Sequence, residues 1–216
     1  MIENVIFDMD GTLLDTETIF RDSWIMTSKK WNIDSAEELY ENIAGRSADT
    51  IKLLFEEKYG DRYDFDKFFS ERMACFCNLV KDNIPLKPGA EEILMFLKEN
   101  NIPCALATST PMHMTDPNLK RAGLYDYFSV IVTSESVQSG KPAPDIFLEA
   151  AKRLGAVADR TIVVEDSYNG LLAAYRANIR PVMVVDRQLP NDEIRKILYA
   201  ECNSLFDVIK IIKKEI

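Results

Sequence analysis

The chain predicts an α/β fold, a doubly wound parallel sheet with a small helical domain inserted into it. Three observations carry this expectation. Short apolar runs rich in β-branched residues recur along the chain, and after residue 103 helical segments separate them. Each run ends abruptly in polar or acidic residues. Between the first run and the second, residues 15–81 hold helical patterning and no clear strand. At 216 residues and 47% hydrophobic content, there is material for one core domain with an insert.

The first strand is Val5-Ile6-Phe7, and Gly11 supplies the turn that leaves it. Residues 15–81 read as four helices. Ile19, Phe20, Ser23 and Trp24 mark one amphipathic face, and Ser35-Ala36-Glu37-Glu38 has the form of a capping box that opens the second helix. The third spans about 47–59, stopped at Gly60, and the fourth about 64–80. Residues 81–88, with two prolines, read as the return linker. A helix over about 89–99 then leads into the strand Pro103-Cys104-Ala105-Leu106-Ala107, and one ending at Gly123 into Ser129-Val130-Ile131-Val132. Another runs from Pro144-Asp145 to a glycine cap at Gly155 and leads into Thr161-Ile162-Val163-Val164. The helix after Asn169 ends near Asn178 and precedes Pro181-Val182-Met183-Val184-Val185. Proline just inside helix starts and Gly or Asn just past their ends is the expected asymmetry. The expected domains are 1–14 with 82–216 as the α/β core, and 15–81 as the inserted α-helical cap.

Composition excludes several classes of function. The net charge of −9 gives a nucleic-acid partner no electrostatic support. No apolar run approaches membrane-spanning length, and Met1-Ile2-Glu3-Asn4 does not read as a secretory signal. Cys75, Cys77, Cys104 and Cys202 lack zinc spacing, and the chain has one histidine. Reduced thiols in a cytoplasmic protein are expected. A monomer is plausible for this architecture.

The strand ends carry the chemistry. Asp8 and Asp10 follow the first strand at alternate positions, which normally share one face. Two like charges that close repel unless a cation or a shared proton intervenes. The second strand ends in Thr108-Ser109-Thr110, whose hydroxyls and amides can hold phosphate oxygens or merely cap a helix. After the third comes Gly140-Lys141-Pro142-Ala143-Pro144-Asp145, where Lys141 is a fixed positive point charge. After the fourth comes a second acidic pair, Glu165-Asp166-Ser167. Carboxylates from two strand ends would make a hard oxygen site suited to Mg²⁺. Each signal alone also fits a solvated loop. Their conjunction, each directly after a strand, is not something folding requires.

In these residues the sequence resembles the haloacid dehalogenase-like (HAD) hydrolase superfamily. Asp8-Met9-Asp10-Gly11-Thr12, Thr108, Lys141 and Glu165-Asp166-Ser167 look like its four motifs. Within it the chain is most similar to the β-phosphoglucomutase-like phosphatases, through Asp15-Thr16-Glu17, Gly45-Arg46-Ser47 and the segment from Gly140 to Asp145. The resemblance implies a HAD-like Rossmannoid core and a phosphatase acting on a small phosphorylated metabolite. It further implies Asp8 as nucleophile forming an aspartyl-phosphate, and Asp10 as general acid and then base. Mg²⁺ would be held by Asp8, the backbone carbonyl of Asp10, Asp166 and Glu165, the last directly or through water. Lys141, Thr108 and the Ser109 amide would hold the phosphoryl oxygens.

The cap would supply specificity and exclude water. Gly45 and Arg46 are candidates there for substrate contact, and Arg72 on the last cap helix is another. Sugar mutases of this subfamily carry a histidine where this chain has Phe20, and their cap arginine aligns with Ala48. Both departures favour hydrolysis over a β-phosphoglucomutase-type isomerisation. A 2-haloacid dehalogenase would not need Asp10 or the Glu165-Asp166 pair. A phosphonatase would need a Schiff-base lysine in the cap, and nothing marks Lys29, Lys30 or Lys52. A binding module on the same fold would have no reason to keep costly clustered carboxylates. His113, after the second motif, is expected on a helix surface.

Overall fold

The computed structural model, described for residues 1–43 and 48–215, divides into two compact units. One comprises Met1–Asp15 with Pro85–Ile216, the other Thr16–Ile84. The borders thus fall at 15/16 and 84/85, a little later than 14/15 and 81/82 read from the sequence. A short antiparallel pairing of the outgoing and returning chain explains the shift. Asp15 N donates to Pro85 O at 2.8 Å, Lys87 N to Leu13 O at 2.9 Å, and Leu14 bridges Leu86.

The first unit is built on a sheet of six strands: β1 (Asn4–Phe7), β2 (Cys104–Thr108), β3 (Val130–Thr133), β4 (Thr161–Glu165), β5 (Arg180–Val184) and β6 (Ala200–Cys202). Their order is β3-β2-β1-β4-β5-β6, and every neighbouring pair is parallel. Five of the six were legible as apolar runs. β6 was not, because three residues with a glutamate in the middle give no run to read. β1, β2 and β4 are buried at every position, the pattern of strands covered on both faces. Phe7 pairs with Leu106 on one side and Val164 on the other, so the residues that follow these strands emerge along one carboxyl edge. The chain winds outward through β2 and β3, returns to β4 beside β1, and winds the other way. The switch between β1 and β4 is where open α/β sheets bind ligands.

The helical unit holds α1 (Thr16–Lys30), α2 (Ala36–Ile43), α3 (Ala48–Tyr59) and α4 (Phe65–Leu79). Its core is aromatic. Trp24 lies 5.0 Å from Phe68 and 6.1 Å from Phe55 between ring centroids, and its Nε1 donates to Ala36 O. Asp64 caps α4 by accepting from Lys67 N at 3.0 Å. The capping box expected at Ser35 takes another form. Ser35 has φ 58°, in the left-handed region, where a capping residue is normally extended.

The remaining helices, α5 (Ala90–Glu99), α6 (Met112–Arg121), α7 (Asp145–Leu154), α8 (Tyr168–Arg176), α9 (Asp192–Ile197) and α10 (Leu205–Lys213), flank the sheet. Ile146, Phe147 and Ala150 of α7 and Ala173 and Ala174 of α8 pack on Ile6, Ala105, Ala107, Val132 and Val163 of the sheet. Small residues on α8 let it lie close to β4, and this closeness shapes the site described next. Among the described residues no helix is long and apolar enough to cross a membrane.

Candidate active site

The site starts from the end of β1. Asp8 N donates to Val164 O at 3.0 Å, carrying the β1–β4 pairing one residue past the strand. Met9 points into the core with no exposure, so its neighbours Asp8 and Asp10 share the opposite face. The loop then folds on itself: Leu13 N and Leu14 N both donate to Met9 O, and Gly11 N donates to Leu14 O. Gly11 is required twice over. Its φ is +81°, and a Cβ added there would stand 2.5 Å from Asp166 Oδ2. Asp166 therefore lies directly against this loop, and Thr12 Oγ1 donates to its Oδ1 at 3.0 Å. The first and fourth sequence motifs are thus one structural feature.

Lys141 joins them from the other side. Its Nζ donates to Asp8 Oδ1 at 2.5 Å, to Glu165 Oε1 at 2.7 Å and to Ala107 O at 3.3 Å. The side chain is 6% exposed, and the Phe147 ring lies 5.0 Å from Nζ. The other oxygen of Glu165 accepts from Ser167 N at 2.7 Å and Ser167 Oγ at 2.9 Å. Ser167 Oγ in turn accepts from Gly170 N, capping α8. Gly170 leaves the space that Glu165 fills, since a Cβ there would fall 1.7 Å from Glu165 Oε1. Both side-chain oxygens of Glu165 are engaged in holding Lys141 or the start of α8.

Asp10 turns toward the end of β2. Its Oδ2 accepts from Thr110 Oγ1 at 2.6 Å, with Thr108 Oγ1 at 3.5 Å. Thr108 is buried and its Oγ1 also accepts from Thr110 N at 3.1 Å. Ser109 is exposed just beyond the strand.

Four carboxylates and one ammonium make up this cluster, and its electrostatics follow from that imbalance. Burial, with the neighbouring Glu165 and Asp10 charges, pushes the Asp8 carboxyl up to about 8 against the pull of Lys141. Burial also raises Asp166 well above the carboxylate range, helped by Glu165 and Asp8 and opposed by the Thr12 hydrogen bond. For Lys141, burial disfavours the ammonium, but Asp8 and Glu165 outweigh it and hold its pKa above the ordinary lysine value.

The three acidic side chains expected around the metal, Asp8, Glu165 and Asp166, do not converge on one point. Among the described residues, no three Asp, Glu, His or Cys side chains are placed to hold a metal ion. The physical reason is in the hydrogen bonds: Lys141 occupies one oxygen of Glu165 and Ser167 the other. Asp8 and Asp166 remain, on either side of the Gly11 loop. This residual set still fits a hard divalent cation. It is all oxygen, and burial and mutual repulsion, which raise both carboxyls, are penalties that a bound cation would offset.

Of the residues singled out in the sequence, Asp8, Asp10, Thr108, Lys141, Glu165 and Asp166 come together. Gly45 and Arg46 lie outside the described residues. Arg72 belongs to the helical unit, where it is 2% exposed and its guanidinium carbon lies 4.1 Å from the Phe20 ring centroid and 4.7 Å from that of Phe69. One of its nitrogens donates to Met73 Sδ, while Nε and Nη1 have no partner among the described residues. Burial lowers its pKa to about 10. His113 is exposed on α6, as expected. Sequence reasoning missed Thr12, Thr110 and Gly170. Thr110 stood in a visible hydroxyl cluster, but nothing in the sequence said which carboxylate it would meet.

Comparison with known proteins gives the family. The model of the haloacid dehalogenase-like hydrolase family matches residues 2–178. The chain belongs to that family. This HAD-like hydrolase is 35% identical over 192 residues, 87% of each chain, to a phosphorylated carbohydrates phosphatase of Thermotoga maritima. It is 29% identical over 189 residues, 87% of this chain and 85% of the other, to hexitol phosphatase B of Escherichia coli. A solved structure from Thermotoga maritima, provisionally assigned as a β-phosphoglucomutase, superposes over the whole of both chains with a TM-score of 0.87 at 28% identity.

Proposed function

We propose that this HAD-like hydrolase is a Mg²⁺-dependent phosphatase of a small phosphorylated metabolite, a sugar or polyol phosphate, working through phosphoryl transfer to Asp8. The observation that carries the reading is Lys141, a buried ammonium held between Asp8 and Glu165 at the switch point of the sheet. A lysine fixed this way stabilises an anion and orients the carboxylate that attacks it. The names of the relatives supply the substrate class.

In this mechanism Glu165 orients Lys141, and Lys141 fixes Asp8 and offsets the charge on the phosphoryl oxygens. Asp8 attacks phosphorus, and the bond to the leaving oxygen breaks. Asp10 gives that oxygen a proton and afterwards takes one from the water that attacks the aspartyl-phosphate. Thr108 and the Ser109 amide orient the phosphoryl group. Asp8, Asp166 and the Asp10 carbonyl would hold Mg²⁺, which when bound lets two anions approach each other. Arg72, with two buried nitrogens unpaired among the described residues, is assigned to substrate recognition together with Gly45 and Arg46. The four free cysteines suit a reducing, cytoplasmic setting.

Phosphate release from glycerol phosphate, hexitol phosphates and p-nitrophenyl phosphate, with and without Mg²⁺, tests this directly. Turnover should require Mg²⁺ and vanish in Asp8→Asn. The structural neighbour favours a second reading, a sugar phosphomutase. That reading requires interconversion of hexose phosphates dependent on glucose 1,6-bisphosphate, with little net phosphate release.

A further inference from the structure

We propose that Thr110 is a positioning residue for the general acid Asp10, fixing the rotation of the carboxyl that delivers the proton. This rests on the phosphatase reading above. The hydrogen bond from Thr110 Oγ1 to Asp10 Oδ2 is 2.6 Å, and the Thr108 hydroxyl stands 3.5 Å from the same oxygen. Both hydroxyls address Oδ2. Oδ1 accepts from neither hydroxyl, so the contacts on one oxygen fix the rotation of the carboxyl.

Thr110 is itself braced. Its backbone N–H donates to Thr108 Oγ1 at 3.1 Å, and its carbonyl accepts from the fully buried Thr115 Oγ1 at 3.1 Å. Thr115 also bonds Pro111 O, the residue that precedes α6. The hydroxyl of Thr110 is therefore set by the β2–α6 loop before substrate arrives. Asp10 is set from its own side, because Asp10 and Leu14 pair as a bridge and Gly11 N donates to Leu14 O. Two loops braced separately meet at one short hydrogen bond, which is how a catalytic group is kept in a single geometry.

The proton matters unequally among substrates. When the P–O bond breaks as the Asp8–P bond forms, the bonding pair goes to the leaving oxygen. An alkoxide needs the Asp10 proton at that moment; p-nitrophenolate leaves without it. Kinetics of kcat/KM report the step up to formation of the aspartyl-phosphate, so they isolate this proton transfer. Thr110→Val should lower kcat/KM for glycerol phosphate roughly 10- to 100-fold, part of the about 10²–10⁴ that a general acid supplies. For p-nitrophenyl phosphate the same variant should stay within about threefold of wild type. Thr110→Ser should restore the alkyl substrate, and Thr110→Ala should repeat the valine result if the valine variant folds poorly. Equal losses on both substrates, no loss on either, or no rescue by serine would overturn the proposal. If wild type released phosphate from neither substrate, the phosphatase reading itself would fail, a result distinct from all of these.

Discussion

Stripped of divalent metal, this protein should lose stability as the pH rises from 5 to 8. The Asp8 carboxyl is pushed from 3.8 to about 8 in the folded state, chiefly by burial. Between those values the native state keeps a proton that the unfolded chain gives up, so raising the pH favours unfolding. The contribution is complete below about 4 and lost through about 8. Asp166 is raised too and acts with the same sign. Lys141 is also raised, but its contribution is fully present below the ordinary lysine value and disappears only above this window. The lowered carboxyls of Glu71, Glu149 and Asp207, each held down first by a lysine or arginine hydrogen bond, lose their contribution only in the acid range.

Each tenfold change in proton affinity is worth about 1.4 kcal/mol, so Asp8 alone sets a ceiling on the order of 5 kcal/mol. For a domain of this size that corresponds to a drop in Tm on the order of 10 °C. Thermal unfolding in EDTA at several pH values from 5 to 8 measures it. Asp8→Asn should flatten the slope, and Mg²⁺ at a hundred times its Kd should return about 2.7 kcal/mol at pH 8. Stability that rises with pH in EDTA, or that ignores Mg²⁺ at pH 8, would refute the reasoning from uncompensated buried carboxylates.

Other outcomes follow from single contacts. Gly170→Ala drives a Cβ into Glu165 and should break its pairing with Lys141, costing about 3–5 kcal/mol in urea unfolding as buried pairs do when one partner is displaced. Wild-type stability in that variant would mean Glu165 is not held where it is described. Lys141→Met should lower kcat by roughly 10²–10³ or more, and Lys141→Arg should not restore it, because a planar fork cannot replace a point charge between two carboxylates. Steady-state kinetics of the pair decide this. Arg72→Met should leave the unfolding free energy unchanged or higher, since an unpaired buried cation contributes little to stability, while raising KM for the natural substrate. A loss above about 3 kcal/mol would mark Arg72 as structural.

The sequence was most readable where packing and chemistry coincide. β1, β2 and β4 are buried on both faces, so their runs stand out, and each stops where a functional group begins. Helix ends were legible for a related reason: Gly155 closes α7 in the left-handed conformation that glycine adopts freely. β6 lies at the sheet edge, where a short strand needs no apolar run. Ser35 carries the letters of a capping box without its backbone geometry, because a pattern of residue types does not fix φ. At the site, types and spacing named the acidic groups correctly as a cluster but not their hydrogen bonds. Residue types alone do not say which neighbour each of the four carboxylates meets. Only the fold shows that Lys141 and Ser167 occupy Glu165 and that Thr110 meets Asp10. Gly170 carries no legible signal, since a glycine in a helix becomes meaningful only when a buried carboxylate is seen against it.

Acid-quenching the enzyme during turnover of a hexitol phosphate, followed by peptide mass mapping, tests the central claim most directly. A phosphoryl group on Asp8, labile to hydroxylamine and absent in Asp8→Asn, is the predicted result. Efficient phosphate release by the Asp8→Asn enzyme, or a covalent phosphoryl group on any other residue, would contradict it.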